Sequence, residues 1–147
     1  MSVIRITKEF RYEGAHALYN YDGKCRNIHG HSYVLYVTVK GTPIDDNSSC
    51  KYGMILDFSD FKRIVNDTVV DVFDHALVLR AVAPVAQELA STYEKVILVG
   101  FQPTCENLIA YFADVIKAHL PENVELYSLR LHESPSSFVE WFAEDNR

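Results

Sequence analysis

Residues 31–40 read HSYVLYVTVK and divide by alternation into two sets, Tyr33/Leu35/Val37/Val39 and Val34/Tyr36/Thr38. Successive residues of a strand point to opposite sides of the sheet, and both of these sets are largely apolar. A strand of this kind is expected to be covered on both sides. Ile4 to Ala15, rich in β-branched and aromatic residues, reads as a second strand. The run from Gly41 to Gly53, with Pro43, Asp45, Asp46, Asn47, Ser48 and Ser49, reads as an exposed connection.

Two amphipathic helices follow. The first opens at Asp57 or Ser59, and Phe58, Phe61, Ile64, Val65, Thr68, Val69 and Val72 recur at three- and four-residue steps. The second opens at Pro103-Thr104, with Thr104 as N-cap and Glu106 in the first turn, where an acid suits the helix dipole. Leu108, Ile109, Phe112, Val115, Ile116 and Leu120 form its apolar face, and Pro121 stops it. Between them, Phe73 to Leu79 leaves the first helix, Pro84 to Tyr93 is a candidate short helix, and Val96 to Phe101 a short buried strand or extended segment. Val124–His132 and Phe138–Phe142, joined by Ser134-Pro135-Ser136-Ser137, are the last two strands. Strands grouped in hairpins with helices between them predict an α+β domain spanning 1–147 rather than a parallel α/β sheet.

Composition bounds the function. With 147 residues, 48% of them apolar, the chain can bury a core, which excludes a disordered or collagen-like polymer. No apolar run approaches the about 20 residues that span a bilayer, and the start MSVIRITKEF lacks the apolar core of a signal peptide, so a cytoplasmic protein is expected. A net charge of -6 without a basic run makes nucleic acid a poor partner and a small molecule or a protein the better expectation. Cys25, Cys50 and Cys105 are odd in number and form no CxxC pair, which argues against a disulfide framework and a four-cysteine zinc site.

The chemistry concentrates on histidine. His29-Gly30-His31 puts two imidazoles on one side of an extended chain, and Gly30 lets another backbone or a ligand approach. His16 ends the preceding strand, and antiparallel pairing would bring it beside them. Three imidazoles with one open position are the ligand set of a catalytic zinc; the plainer reading is three strand histidines satisfied by backbone. Cys25 lies in a polar stretch with Lys24 and Arg26, two cations that favour thiolate, against the alternative of a free surface cysteine. Cys105 falls in the first turn of a helix, where thiolate is also favoured, and Cys50 in the exposed connection. Asp74-His75 is either an oriented acid–base histidine or a cation at a helix C-terminus. Glu133, ending a mostly apolar strand, is a rim residue or a ligand anchor, and Glu106 by default only serves the dipole.

Taken in order, His16, Cys25-x-x-x-His29-Gly30-His31-x-Tyr33, Gly53-Met54-x-x-Asp57-Phe58, Asp74-His75, Pro103-Thr104-x-Glu106-Asn107 and the late Glu133 resemble the 6-pyruvoyltetrahydropterin synthase family over nearly the whole chain. The resemblance implies a tunnelling fold: a four-stranded antiparallel sheet with two helices on one face, three subunits closing their sheets into a barrel, and two trimers stacking into a homohexamer. It implies zinc on His16, His29 and His31, and Cys25 as the proton-abstracting thiolate. Asp74 and His75 would complete the catalytic set, contributed from a neighbouring subunit. Glu133 would anchor a pterin through its 2-amino and N3–H groups, with Thr104 and Glu106 lining the pocket. The implied substrate is 7,8-dihydroneopterin triphosphate, whose phosphates Lys24 and Arg26 could meet, with solvated surface charge as the alternative. The Cys-x3-His spacing resembles the bacterial branch, which forms 6-carboxytetrahydropterin on the route to queuosine; animal pyruvoyl-forming members have a longer spacer. Cys25 argues against members that carry glutamate there. Leu79–Gln102 is longer than in compact bacterial members. The competing readings are the pyruvoyl-forming lyase and a non-catalytic zinc- or pterin-binding assembly protein.

Overall fold

A computed structural model describes all residues, 1–147. The two long strands, β1 (Ile4–His16) and β2 (His29–Gly41), pair antiparallel over their full length, from Ile4 opposite Gly41 to His16 opposite His29. After β2 come α1 (Phe58–Val65), its continuation through a wide π-type turn (Asn66–Val70) and the single turn α2 (Asp71–Phe73). Then follow β3 (Ala76–Arg80), α3 (Ala86–Thr92), β4 (Val96–Val99), α4 (Cys105–Lys117), β5 (Val124–Ser134) and β6 (Ser137–Phe142). The sheet order is β4-β3-β1-β2-β5-β6.

The α+β class holds, but the sheet has six strands and is mixed. β1, β2, β5 and β6 form the expected antiparallel set. β3 and β4 add a parallel pair on the outer flank of β1, with β3 parallel to β1 over only three residue pairs. Parallel neighbours need a crossover, and the long Leu79–Gln102 segment supplies it as the end of β3, helix α3 and strand β4.

Cross-strand partners share a face, so the register Phe10–Leu35, Tyr12–Tyr33, Gly14–His31 and His16–His29 defines one side of the sheet. That side is the core. Phe10, Tyr12, Tyr33, Leu35, Val37, Val39, Leu129 and Leu131 pack there against Phe61, Val65, Val69 and Phe73 of the first helical run and Leu108, Ile109, Phe112 and Ile116 of α4. Both helices therefore lie on one face. Their starts follow the sequence: Asp57 accepts from the Ser59 N–H at 2.7 Å, and Thr104 accepts from the Asn107 N–H at 3.1 Å. Phe58 and Val72, expected on the apolar face, are exposed.

The expectation that β2 is covered on both sides holds for one. Leu35, Val37 and Val39 are fully buried, whereas Val34, Tyr36 and Thr38 are only half-buried within one subunit. Their neighbours explain this: β1 presents Thr7, Glu9 and Arg11 there, and β5 presents Arg130. Tyr36 donates to Glu9 at 2.8 Å, Thr7 and Thr38 hydroxyls lie 2.7 Å apart, and Arg130 pairs with Glu140 at 3.2 Å.

Candidate metal centre and the residues around it

The apolar side of the sheet ends in histidine. The β1–β2 register continues the Tyr12–Tyr33 pair into Gly14–His31 and His16–His29, which gathers three imidazoles at one end of the core. Their ring centroids stand 4.5 Å (His16–His29), 4.9 Å (His29–His31) and 5.1 Å (His16–His31) apart. Gly30 permits the close strand approach here, since a Cβ on it would stand 3.2 Å from the Gly14 carbonyl oxygen.

Two of the rings are oriented from the backbone. His16 Nδ1 lies 2.6 Å from the Pro103 carbonyl, and His29 Nδ1 lies 2.7 Å from the Asn27 carbonyl. A carbonyl only accepts, so each Nδ1 carries the proton and each Nε2 keeps its lone pair, the arrangement that supports metal-ligating imidazoles. The Nε2 atoms of His16, His29 and His31 are all buried without a hydrogen-bond partner. Burial pushes the His16 and His31 pKa values below the ordinary histidine range and keeps both rings in the neutral, ligating form; for His31, Glu133 opposes that shift. One buried orphan nitrogen costs about 1–3 kcal/mol, and three converging on one point could be satisfied together by a cation.

Glu133 joins the cluster. Its Oε1 stands 2.8 Å from His31 Nε2, without the alignment of a hydrogen bond, and 3.9 Å from His16 Nε2. The four donor atoms lie within 4.8 Å of one another, so the group could hold a metal ion. Three neutral nitrogens and one carboxylate suit a borderline divalent cation, zinc among them.

The other expected site residues lie around this centre rather than in it. Cys25 is half-buried in the short 3-10 turn Lys24–Arg26 of the β1–β2 connection, where its carbonyl accepts from the Leu18 N–H at 2.9 Å. Asp74 and His75 sit on the opposite flank of β1 from β2. Asp74 Oδ1 accepts from the Glu13 N–H at 2.8 Å, and Oδ2 lies 2.9 Å from His75 Nδ1. Those two contacts, the Glu13 N–H first, hold the Asp74 carboxyl below its usual range. His75 adopts a left-handed φ of 59° while its N–H donates to the Glu13 carbonyl at 2.6 Å. Non-glycine residues in that region concentrate at functional sites. The His75 ring is exposed and lines an open cavity of about 650 Å³ together with Glu13, Ala15, Ile28, Tyr93 and Lys95. No hydrogen bond or ion pair joins Cys25, Asp74 or His75 to the three histidines within the chain.

Thr104 spends its hydroxyl on capping α4, and Glu106 is exposed on the first turn of that helix. Cys105, next to them, does not become a thiolate. It is buried, and burial pushes its thiol up to about 12, overriding the helix N-terminus. The contributors that sequence reasoning missed are the Pro103 and Asn27 carbonyls. They act through the backbone, which leaves no signature in side-chain identity.

Comparison with known proteins identifies the family. The family model described as 6-pyruvoyl tetrahydropterin synthase matches residues 5–144. The chain belongs to that family. A protein of Haemophilus influenzae named 6-carboxy-5,6,7,8-tetrahydropterin synthase is 34% identical over 143 residues, covering 95% of this chain and 99% of its own. One of the same name from Rickettsia conorii is 29% identical over 142 residues, covering 94% and 99%. Among solved structures, the Caenorhabditis elegans 6-pyruvoyl tetrahydropterin synthase superposes with a TM-score of 0.68 at 23% identity, covering 97% of each chain. The relatives are tetrahydropterin synthases, and the chain is an enzyme of that lyase class. No helix is long and apolar enough to cross a membrane.

Proposed function

We propose that this chain is a zinc-dependent 6-carboxy-5,6,7,8-tetrahydropterin synthase. It converts 7,8-dihydroneopterin triphosphate and water to 6-carboxytetrahydropterin, with release of acetaldehyde and triphosphate. The observation that carries the reading is the convergence of three unpartnered Nε2 atoms beside a carboxylate. The names of the bacterial relatives and the Cys25-x3-His29 spacing favour the carboxy-forming branch over the pyruvoyl-forming one.

His16, His29 and His31 would hold the ion, which would supply a Lewis acid for the adjacent hydroxyls of the substrate side chain. Cys25, as thiolate, takes a proton from one face of that side chain. His75 moves a proton on the other, with its Nδ1 fixed by Asp74. Glu133 accepts two parallel hydrogen bonds from the 2-amino and N3–H edge of the pterin, and Thr104 and Glu106 line the ring pocket. Because Asp74-His75 lies across β1 from the histidines, the dyad serves the centre of an adjacent subunit. That fits a homohexamer built as a dimer of trimers, in which the half-buried Val34–Tyr36 face is covered by barrel closure. The reading places a single 1–147 domain in the cytoplasm, on the route to queuosine, with a small-molecule substrate and no nucleic-acid partner.

Cys25→Ala tests the assignment. The variant is expected to bind zinc and pterin as the parent does and to lose at least about 100-fold in turnover, the scale of one general-base contribution. Turnover indifferent to the change would contradict the enzyme reading and favour a non-catalytic binding protein.

A further inference from the structure

The long Leu79–Gln102 segment carries Lys95, which reaches back to the turn that holds Asp74 and His75. Its Nζ donates to the Asp71 carbonyl at 2.9 Å and to the Asp74 carbonyl. The Lys95 backbone is itself tied down: its carbonyl accepts from the Leu77 N–H at 2.9 Å, and the β3–β4 pairing runs on from Leu77–Val96. β3 begins at Ala76, directly after His75, so the lysine and the turn share one anchorage.

That turn is one that needs holding. Asp74 has φ -64° and ψ 128°, and His75 has a φ of 59°. These angles orient the peptide between the two residues as in a type II turn, whose second central position is left-handed and favours glycine. The Cβ of a histidine is disfavoured there. Rotating this one peptide by half a turn gives the type I arrangement, with negative φ, which most residues adopt. Both ends of the same peptide oppose the rotation. Its C=O accepts from Lys95, and its N–H donates to the Glu13 carbonyl at 2.6 Å. A left-handed residue that ends a helix usually returns its N–H to the last turn. His75 gives that N–H to β1 instead, and the Lys95 ammonium serves the helix-end carbonyls, where a cation also suits the dipole.

We propose that Lys95 is a positioning residue for Asp74 and His75: it holds the peptide that joins them in the orientation that gives His75 its left-handed backbone and lets His75 Nδ1 meet Asp74 Oδ2. The inference rests on the proposed proton-moving role of that pair. It also gives the long segment a purpose, since α3 and β4 deliver one ammonium to one turn. Without a donor at position 95 the Asp74 carbonyl loses its partner, the flipped peptide draws the His75 N–H away from Glu13, and the ring no longer stands at a fixed angle to the carboxylate. Lys95 lines the same cavity as His75. With its ammonium engaged by two carbonyls, it acts there as a brace rather than as a cation for the substrate.

The test uses the purified, zinc-loaded full-length protein and the variants Lys95→Met, which keeps length but donates nothing, and Lys95→Arg, which keeps a cation with several donors. Amide hydrogen exchange followed by mass spectrometry reads the turn without reference to turnover. Lys95→Met is expected to speed exchange in the peptide that contains His75 at least several-fold. With 7,8-dihydroneopterin triphosphate, Lys95→Met is expected to lower kcat at least about tenfold and to leave KM within about twofold. Lys95→Arg is expected to recover most of both losses. Unchanged exchange in Lys95→Met would overturn the inference, as would faster exchange with unchanged kcat, which marks a purely structural tie, or an Arg variant as impaired as the Met one. A raised KM at unchanged kcat would show a substrate-binding cation and overturn it too. If Lys95→Met does not fold, Lys95→Gln, which keeps a neutral donor, takes its place under the same criteria. Turnover unaffected by His75→Ala would instead overturn the role of the pair beneath the inference, while hydrogen exchange would still decide the brace.

Discussion

Asp74 is held ionised by two donors, the Glu13 N–H and, second, His75. Its folded pKa lies below the unfolded value of about 3.9, so these contacts stabilise the fold fully above that value. The contribution is lost as pH falls through the lower folded pKa, because only the unfolded state then takes up the proton. The urea midpoint of the parent is therefore expected to fall between about pH 5 and pH 3 more steeply than that of Asp74→Asn, which has no carboxylate to protonate. The effect is modest because the side chain is 39% exposed. Parallel slopes for the two proteins would show that these contacts do not set the acid limb. The same residue illustrates what a dipeptide cannot disclose. Asp74-His75 reads equally as a helix end, and only the left-handed backbone at His75, clasped to Glu13, sets it apart.

At the scale of elements, α4 joins core to site. Its start carries the Thr104 cap, and the preceding Pro103 carbonyl orients His16. Thr104→Ala should cost about 1 kcal/mol, read as a lower urea midpoint with an unchanged m-value; an unchanged midpoint would mean that solvent satisfies the Asn107 N–H as well. This helix was legible because a cap residue, a periodic apolar face and a terminating proline all agree. β1 and β2 were legible through length and alternation, and their pairing brings together His16, His29 and His31 as the spacing predicts. β3 was not. Its five residues, ALVLR, follow a helix directly and gain strand character only by pairing with β1 and β4, far away in sequence. The approach of Glu133 to His31 depends on a bulge that no local pattern announces.

Across the whole molecule the sheet divides the work. One face carries the helices and ends in the His/Glu cluster that could hold a metal, while the other is lined by ion pairs and half-buried tyrosine and valine. Asp74 and His75 lie on the far flank of β1. The account joins these parts into a synthase that removes the triphosphate and cleaves a side-chain carbon–carbon bond. Product identity tests that claim most directly: the zinc-loaded protein is incubated with 7,8-dihydroneopterin triphosphate, and the pterin formed is identified by mass. The account predicts 6-carboxytetrahydropterin with one acetaldehyde for each triphosphate released. Accumulation of the pyruvoyl pterin alone, or no turnover with zinc bound, would contradict it.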